Sequence, residues 1–400
     1  MAKETPKSKT TWRKVKLGEV GKIVTGKTPP TAEKDYFDGK FPFITPTDII
    51  NFNVRYDYVT TRFLSKKWFA KAKNLLIPRN STCFVCIGST IGKMCLVKEK
   101  SFTNQQINTL IAEKEKADPF FLFYLLKANQ NHIVKEYGGG GAAKPIINKS
   151  TFENIKLSVP EDINEQKKIA AILSVFDDKI ELNNKINQNL EQMAQAIFKE
   201  WFVSPSGEDK LPKGWEMVDA EKILIFEKGV EPGSAHYSEN KKQGFVPFYR
   251  VRDLDKQDGV DVYISKEITK GRVCKESDVL LSLDATVGRV KFGCNGAFSS
   301  GIRKVYSKND FIKNSFIYFW LKTPYVQNTI LEHASGTTIF HAGNSLKYLK
   351  VLFNKTMIEK FQKLSEPNFN KILEIKNENQ KLASLRDLLL PKLISGEIRA

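Results

Sequence analysis

The sequence predicts an α+β protein: two tandem, pseudo-symmetric mixed α/β domains, each followed by a long helix, with the two helices packing on each other. Three observations predict it. A set of motifs recurs in the same order about 200 residues further along the chain. Short β-branched and apolar runs alternate with turn residues. Two long stretches carry apolar residues at alternating steps of four and three.

The repeat is read motif by motif. Trp12-Arg-Lys-Val15 answers Trp215-Glu-Met-Val218, and at the same shift of 203 Gly26 meets Gly229 and Pro29 meets Pro232. Phe41-Pro-Phe43 meets Val246-Pro-Phe248, with Asp48 against Asp253. Thr90-Ile-Gly92-Lys93 meets Thr286-Val-Gly288-Arg289, and Phe121-Leu-Phe-Tyr124 meets Phe316-Ile-Tyr-Phe319. The shift drifts because loops gain and lose residues while elements keep their order. Two unrelated domains with generic strand patterns would not hold so many motifs in sequence.

In chain order, residues 1–11 are expected to form a short disordered arm, without the apolar core of a signal peptide. Residues 12–160 make the first domain. Its turn chemistry lies at Gly26-Lys-Thr-Pro-Pro30 and Asp38-Gly39, and Thr82–Ile87 is a buried strand ending at Gly88. Pro119–Val134 is a helix, Gly138–Gly141 a flexible loop and Thr151–Val159 a short closing strand or turn. Residues 161–203 are the first helical region, 204–214 a Pro- and Gly-bearing linker, 215–355 the second domain and 356–400 the second helical region.

The first helical stripe comprises Ile169, Leu173, Phe176, Ile180, Asn183, Asn187, Leu190, Met193, Ile197 and Trp201. A shift of about 192 maps it onto Phe361, Ser365, Asn368, Ile372, Ile375, Asn379, Leu382, Leu385, Leu389 and Leu393. This is seam spacing, and Asn187 and Asn379 fall at equivalent places, where a buried Asn costs stability but fixes register. Helices of about 35 to 40 residues, hence about 50 to 60 Å, must bury their stripes. Packing on each other is the simplest solution; lying along their own domains is the alternative. Pro367 either kinks the second helix or marks its start. Gly396 is a candidate C-cap.

Composition bounds the partner. The net charge is +18 with a pI near 9.4. Between Thr61 and Pro160 there are 16 Lys/Arg against 6 Asp/Glu. Such an excess points to a polyanion, nucleic acid before an anionic membrane, or else only to solubility. No apolar run approaches the length that spans a bilayer. Five cysteines argue for a reducing cytoplasm rather than a disulfide framework. Cys83-x-x-Cys86 with Cys95 lacks a second Cys or His pair at zinc spacing and reads as core thiols. His132, His236, His333 and His341 form no motif. There is no dinucleotide fingerprint, no Asn/Asp-Pro-Pro-aromatic methyltransferase motif, and Gly138–Gly141 lacks the Gly-Lys-Ser/Thr ending of a phosphate loop.

The ends of the copies carry a resemblance. Asn164-Glu-Gln-Lys-Lys-Ile-Ala-Ala-Ile-Leu173 before a long helix, the linker Leu211-Pro-Lys-Gly-Trp215, the terminal Leu388-Leu-Leu-Pro-Lys-Leu-Ile-Ser-Gly396 and Ile44-Thr-Pro-Thr-Asp48 resemble specificity subunits of type I restriction-modification systems. The resemblance covers the chain after its N-terminal arm. It implies two target recognition domains, each reading half of a split site in double-stranded DNA. It also implies an antiparallel helix pair that sets the spacer and docks two methyltransferase subunits, with two restriction/translocase subunits joining them. The chain itself would be non-catalytic, with S-adenosylmethionine, ATP and Mg bound by the partners. A methylation-only system and a coiled-coil scaffold with non-specific DNA affinity are the alternatives.

Base reading needs side-chain donors and acceptors on loops and strand ends. The first-copy candidates are Lys27, Thr28, Thr47, Thr90, Lys93, Asn104, Gln105, Gln106, Lys144 and Lys149. Gln105 and Gln106 suit adenine edges or buried backbone equally. The second-copy candidates are Arg250, Arg252, Arg289, Ser299, Ser300, Arg303, Thr337, Thr338, His341 and Lys347. Arg250 and Arg252 suit guanine or phosphate, or an ion pair with Asp253. The loops diverge, as in Thr103-Asn-Gln-Gln106 against Ser299-Ser-Gly-Ile302, which fits unlike half-sites or neutral drift.

Overall fold

The computed structural model describes residues 11–50, 54–56, 58–139, 145–202, 211–255, 259–336 and 340–400. Most of the N-terminal arm, most of the linker, and part of the glycine loop lie outside these residues. The chain forms two compact units, one of Met1–Glu181 with Lys381–Ala400 and one of Leu182–Gln380.

In the first unit the order is β1 (Trp12–Lys16), α1 (Leu17–Val20), β2 (Gly21–Thr25), β3 (Phe37–Ile44), β4 (Phe63–Leu64) and α2 (Lys66–Lys71). Then come β5 (Thr82–Val85), β6 (Met94–Leu96), β7 (Phe102–Thr103), β8 (Ile107–Ala112), α3 (Pro119–Tyr137), α4 (Lys149–Asn154) and β9 (Lys156–Pro160). One sheet runs β2-β8-β5-β6 and a second β4-β3-β7, with β3 and β7 parallel. β1 and β9 pair antiparallel, Trp12 opposite Pro160, so the start and end of the domain are tied together. α3 starts where Asp118 accepts the N–H groups of Phe120 and Phe121, with Pro119 at the first turn. Its Phe121–Leu126 run is buried against the first sheet. The segment predicted as a closing strand or turn is partly helical, because Asn148 accepts the Thr151 N–H and caps α4 before β9 begins.

The second unit repeats this plan with β10 (Glu216–Asp219), α6 (Ala220–Ile223), β11 (Leu224–Lys228), β12 (Phe245–Tyr249), β13 (Tyr263–Ser265), β14 (Val273–Cys274), β15 (Val279–Ser282) and β16 (Asp284–Ala285). It continues with β17 (Val290–Lys291), β18 (Gly296–Phe298), β19 (Ile302–Ser307), α7 (Asn314–Leu321), α8 (Pro324–Glu332), β20 (Phe340–His341) and β21 (Lys350–Phe353). Its sheets run β11-β19-β15-β17 and β13-β12-β18-β14, the same order with β14 added. β10 and β21 close the domain as β1 and β9 do.

Two long helices complete the fold, α5 (Ile163–Phe202) and α9 (Lys355–Ser395). Each contributes its residues to both units. α9 is unbroken at Pro367 and Pro391; both are exposed, so each missing N–H bond falls on the solvent side. Gly396 ends it at φ +76°, the left-handed C-cap conformation. In the first unit Ile169, Ala170 and Leu173 share a core with Leu390, Leu393 and Ile394. In the second, Asn183 donates to Asn379 and Glu378, and Phe198 packs edge-on to Phe361 at 5.1 Å. Ascending residues of α5 meet descending residues of α9, so the helices are antiparallel in each unit.

The seam departs from the predicted stripe at two places. Met193 is 59% exposed and Leu385 50% exposed. The buried positions are Ala194, Phe198 and Phe202 on α5, and Arg386 and Leu390 on α9. An α-helix drifts about 20° per heptad against a strict seven-residue repeat. Over this length the contact line therefore moves by one residue. Ile180, Ile372 and Ile375 are buried as seam residues, while Phe176, Asn187, Leu190, Ile197, Leu382 and Leu389 are half-buried at its edges.

Candidate nucleic-acid interface

In the first unit the candidates gather where β2, β3 and β7 end. Gly26 permits this: a Cβ there would lie 2.1 Å from the Thr103 carbonyl oxygen. The Lys27 N–H then donates to that oxygen, and the Thr28 hydroxyl donates to Gln105 Oε1 at 2.7 Å. The Asn104 N–H donates to the Ile44 carbonyl, which draws the Thr45–Asp48 turn to the same place. Lys93 Nζ donates to the Ile49 carbonyl at 3.0 Å. Lys27, Thr28, Thr47, Lys93, Asn104, Gln105 and Gln106 thus belong to one loop cluster, and Thr90 adjoins it through its carbonyl, which accepts the Lys93 N–H.

Within it the residues divide. Lys27, Thr28, Thr47 and Gln105 are exposed. Asn104 is buried, donates to Gln106 Oε1 and accepts the Gln106 N–H, so these two hold the turn shut. Lys93 is tied to backbone. Lys149 stands apart, ion-paired with Glu153 at the edge of a depression lined by Lys16, Gly18, Glu19, Gly21 and Lys22. Lys144 lies outside the described residues, although Pro145 reaches the cluster by accepting the Gly88 N–H.

The second unit builds a corresponding cluster from different chemistry. Gly229 sits against the Phe298 and Ser299 carbonyls as Gly26 does against Thr103. The Ser300 hydroxyl donates to Glu231 at the place where Thr28 meets Gln105 in the first unit. Arg289 donates to the Val251 carbonyl at 3.0 Å and pairs with Asp255. Arg303 donates to the Ser300 carbonyl at 2.6 Å; burial lowers its pKa, partly opposed by Asp284. His341 Nδ1 is 2.8 Å from Asp284 across the β16–β20 pair. Ser299 lies in the same turn, its N–H bonded to the Tyr249 carbonyl. Arg252, with its side chain 66% exposed, and His341 are the outward-facing members. Lys347 is exposed over the Tyr348 ring on a separate 3-10 turn. Thr337 and Thr338 lie outside the described residues.

Arg250 makes the ion pair that its spacing from Asp253 allows. Its Nε donates to Asp253 Oδ2 at 2.8 Å, and its N–H donates to the same oxygen. Asp253 is fully buried. In the first unit Asp48 does the same work, accepting from the Thr45 N–H and hydroxyl and from Arg62. The matched aspartates are turn locks, and Arg250 braces one of them. Sequence reasoning missed Thr45 and Arg62. The Thr45-x-x-Asp48 spacing signals a closed turn, whereas nothing in the sequence marks Arg62.

Among the described residues no helix is long and apolar enough to cross a membrane, and no group of His, Cys, Asp and Glu is placed to hold a metal. All five cysteines are buried and outside any disulfide. Burial pushes the Cys86 thiol up to about 12 and Cys294 up to about 11, the range of inert core thiols.

Two units of one fold, each presenting a polar loop cluster at the same sheet end, define a tandem recognition protein. The chain belongs to the type I restriction modification DNA specificity domain family, whose pattern matches residues 9–192 and 212–366, one match for each of two tandem recognition domains. It is 30% identical to the type I restriction enzyme MjaIX specificity subunit of Methanocaldococcus jannaschii, over 97% of this chain and 94% of that one. It is 27% identical to the HindI specificity subunit of Haemophilus influenzae, over 70% of this chain and 77% of that one. A crystal structure of the type I restriction-modification S subunit from M. genitalium covers 98% of both chains at TM-score 0.57 and 19% identity, which shows the shared fold.

Proposed function

We propose that each unit reads one half of a split, asymmetric site in double-stranded DNA, within a type I restriction-modification complex. The observation that carries this reading is the contrast between the clusters. The sheet order is the same, but Lys27, Thr47 and Gln105 face outward in one unit, and Arg252 and His341 in the other. Like scaffolds with unlike donors suit unlike half-sites. The excess of basic residues supplies the phosphate affinity that positions the readers.

In this reading α5 and α9 set the gap between half-sites and dock two methyltransferase subunits, and two restriction/translocase subunits complete the assembly. Exposed apolar side chains on the helices support docking: Val175, Leu182, Ile186 and Met193 on α5, and Leu364, Leu385 and Leu388 on α9. The reactions then belong to the partners, which bind S-adenosylmethionine, ATP and Mg, and this chain contributes recognition without catalysis. The cytoplasm is the compartment that fits cysteines outside any disulfide and a DNA target.

The test is to sequence methylated adenines in cells that express the partner subunits with and without this chain. Methylation at one split site should appear only with it. An unchanged pattern would overturn the proposal, and methylation without DNA cleavage would identify a methylation-only complex.

A further inference from the structure

Arg386 heads the fully buried side chains by volume. It lies on the α9 seam beside the position where apolar spacing predicts Leu385. Its guanidinium donates to Asp177 of α5, which is also fully buried. The other Asp177 oxygen accepts the Tyr124 hydroxyl at 2.6 Å, with Arg55 Nε at 3.8 Å. The rest of the Arg386 fork reaches Asp387 at 2.9 and 2.8 Å. The repeat alignment makes Phe369 the counterpart of Asp177 and Ala194 the counterpart of Arg386. Both counterparts are fully buried in the core of the second unit, where Phe369 stacks on Phe292. One crossing of the helix pair is therefore a complementary charge pair in one unit and wholly apolar in the other.

A duplicated chain has a competing assembly, in which each long helix pairs with the same helix of a second copy. In the same antiparallel register, α5 against its own copy sets Asp177 beside Ala194. For α9 the same pairing sets Arg386 beside Phe369. Each arrangement removes the counter-ion on the facing helix: Asp177 keeps only Arg55, at 3.8 Å, and Arg386 only its half-exposed neighbour Asp387, and losing one partner of a buried pair is costly. The asparagines of α5 do not discriminate, because Asn184 would meet Asn187 of the copy, and amide bonds to amide. We propose that Asp177–Arg386 is a pairing-specificity element: it makes the two long helices of this chain select each other over exchange with like helices of a second copy. This stands independently of what the chain binds.

Full-length chains carrying two different tags are denatured, mixed in equal amounts and refolded; co-capture of the second tag measures exchange. Asp177→Phe with Arg386→Ala gives each helix its counterpart's residue, and co-capture should rise several-fold over the unaltered chain. Arg386→Lys retains the charge and should stay near the unaltered level. Equal co-capture for the symmetrised and unaltered chains overturns the proposal, as does free exchange by Arg386→Lys. Melting temperatures give a second measurement where a variant refolds poorly. Each single change, Asp177→Phe or Arg386→Ala, should lower Tm more than the double change does; additive losses overturn the coupling.

Discussion

At the scale of single residues, exposure separates the proposed readers from the braces. Gln105→Ala should alter preference at one half-site only and Arg252→Ala at the other, each by about 1 to 3 kcal/mol of discrimination where it contacts a base. Methylation assays on a panel of substituted sites would measure both, and a change at both half-sites from either variant would contradict the assignment. Arg250→Ala should instead cost about 1.5 to 3 kcal/mol of stability, because it removes charged hydrogen bonds from buried Asp253; chemical denaturation measures it. Lys376 gives a pH signature. Burial, only partly opposed by Glu191, holds its amine down at about 8, with Nζ 3.8 Å from the Phe292 ring centroid. The unfolded lysine titrates near 10.4, so between about pH 8 and 10 the unfolded state binds more protons and this group's contribution to stability rises with pH. Relative to Lys376→Met, the native chain should gain stability across that window in pH-dependent melts. At this scale the sequence was only partly legible. It marked these segments as turns, because Gly26, Gly229 and the polar runs at Thr103 and Ser299 carry turn chemistry. It did not show that Asn104 and Gln106 satisfy each other, since donor and acceptor types alone do not reveal who meets whom.

At the scale of elements, the long helices and the repeated domain plan were legible because they rest on periodicity and on recurring motifs, whereas the order of strands in the sheets depends on long-range pairing and was not. α5 and α9 read clearly over about 40 residues, and the repeat showed that one domain plan was used twice. The seam was less legible. A strict heptad count selects Met193 and Leu385, while helical drift and a buried arginine move the contact to Ala194, Phe198 and Arg386. Phe198→Ala should cost about 3 to 5 kcal/mol, since that ring packs on Phe202, Phe316 and Phe361. Met193→Lys should change stability by no more than about 0.5 kcal/mol while weakening association with the methyltransferase subunit proposed to dock there. Denaturation curves test the first pair of values, and titration calorimetry with the partner tests the last.

At the scale of the whole molecule, lengthening both long helices by matched turns should change the gap in the recognised site and leave the half-site sequences alone. Methylated-site sequencing reads both outcomes, and altered half-sites would remove the ruler role from the helices. The thiols offer a further consequence. Cys83, Cys86 and Cys95 are sealed inside the first unit, and Cys274 and Cys294 inside the second. A small alkylating reagent can reach them only when the surrounding structure opens. The chain therefore carries a stopwatch in each half: the rate at which each set is labelled times that half's breathing separately, before and after it grips its target.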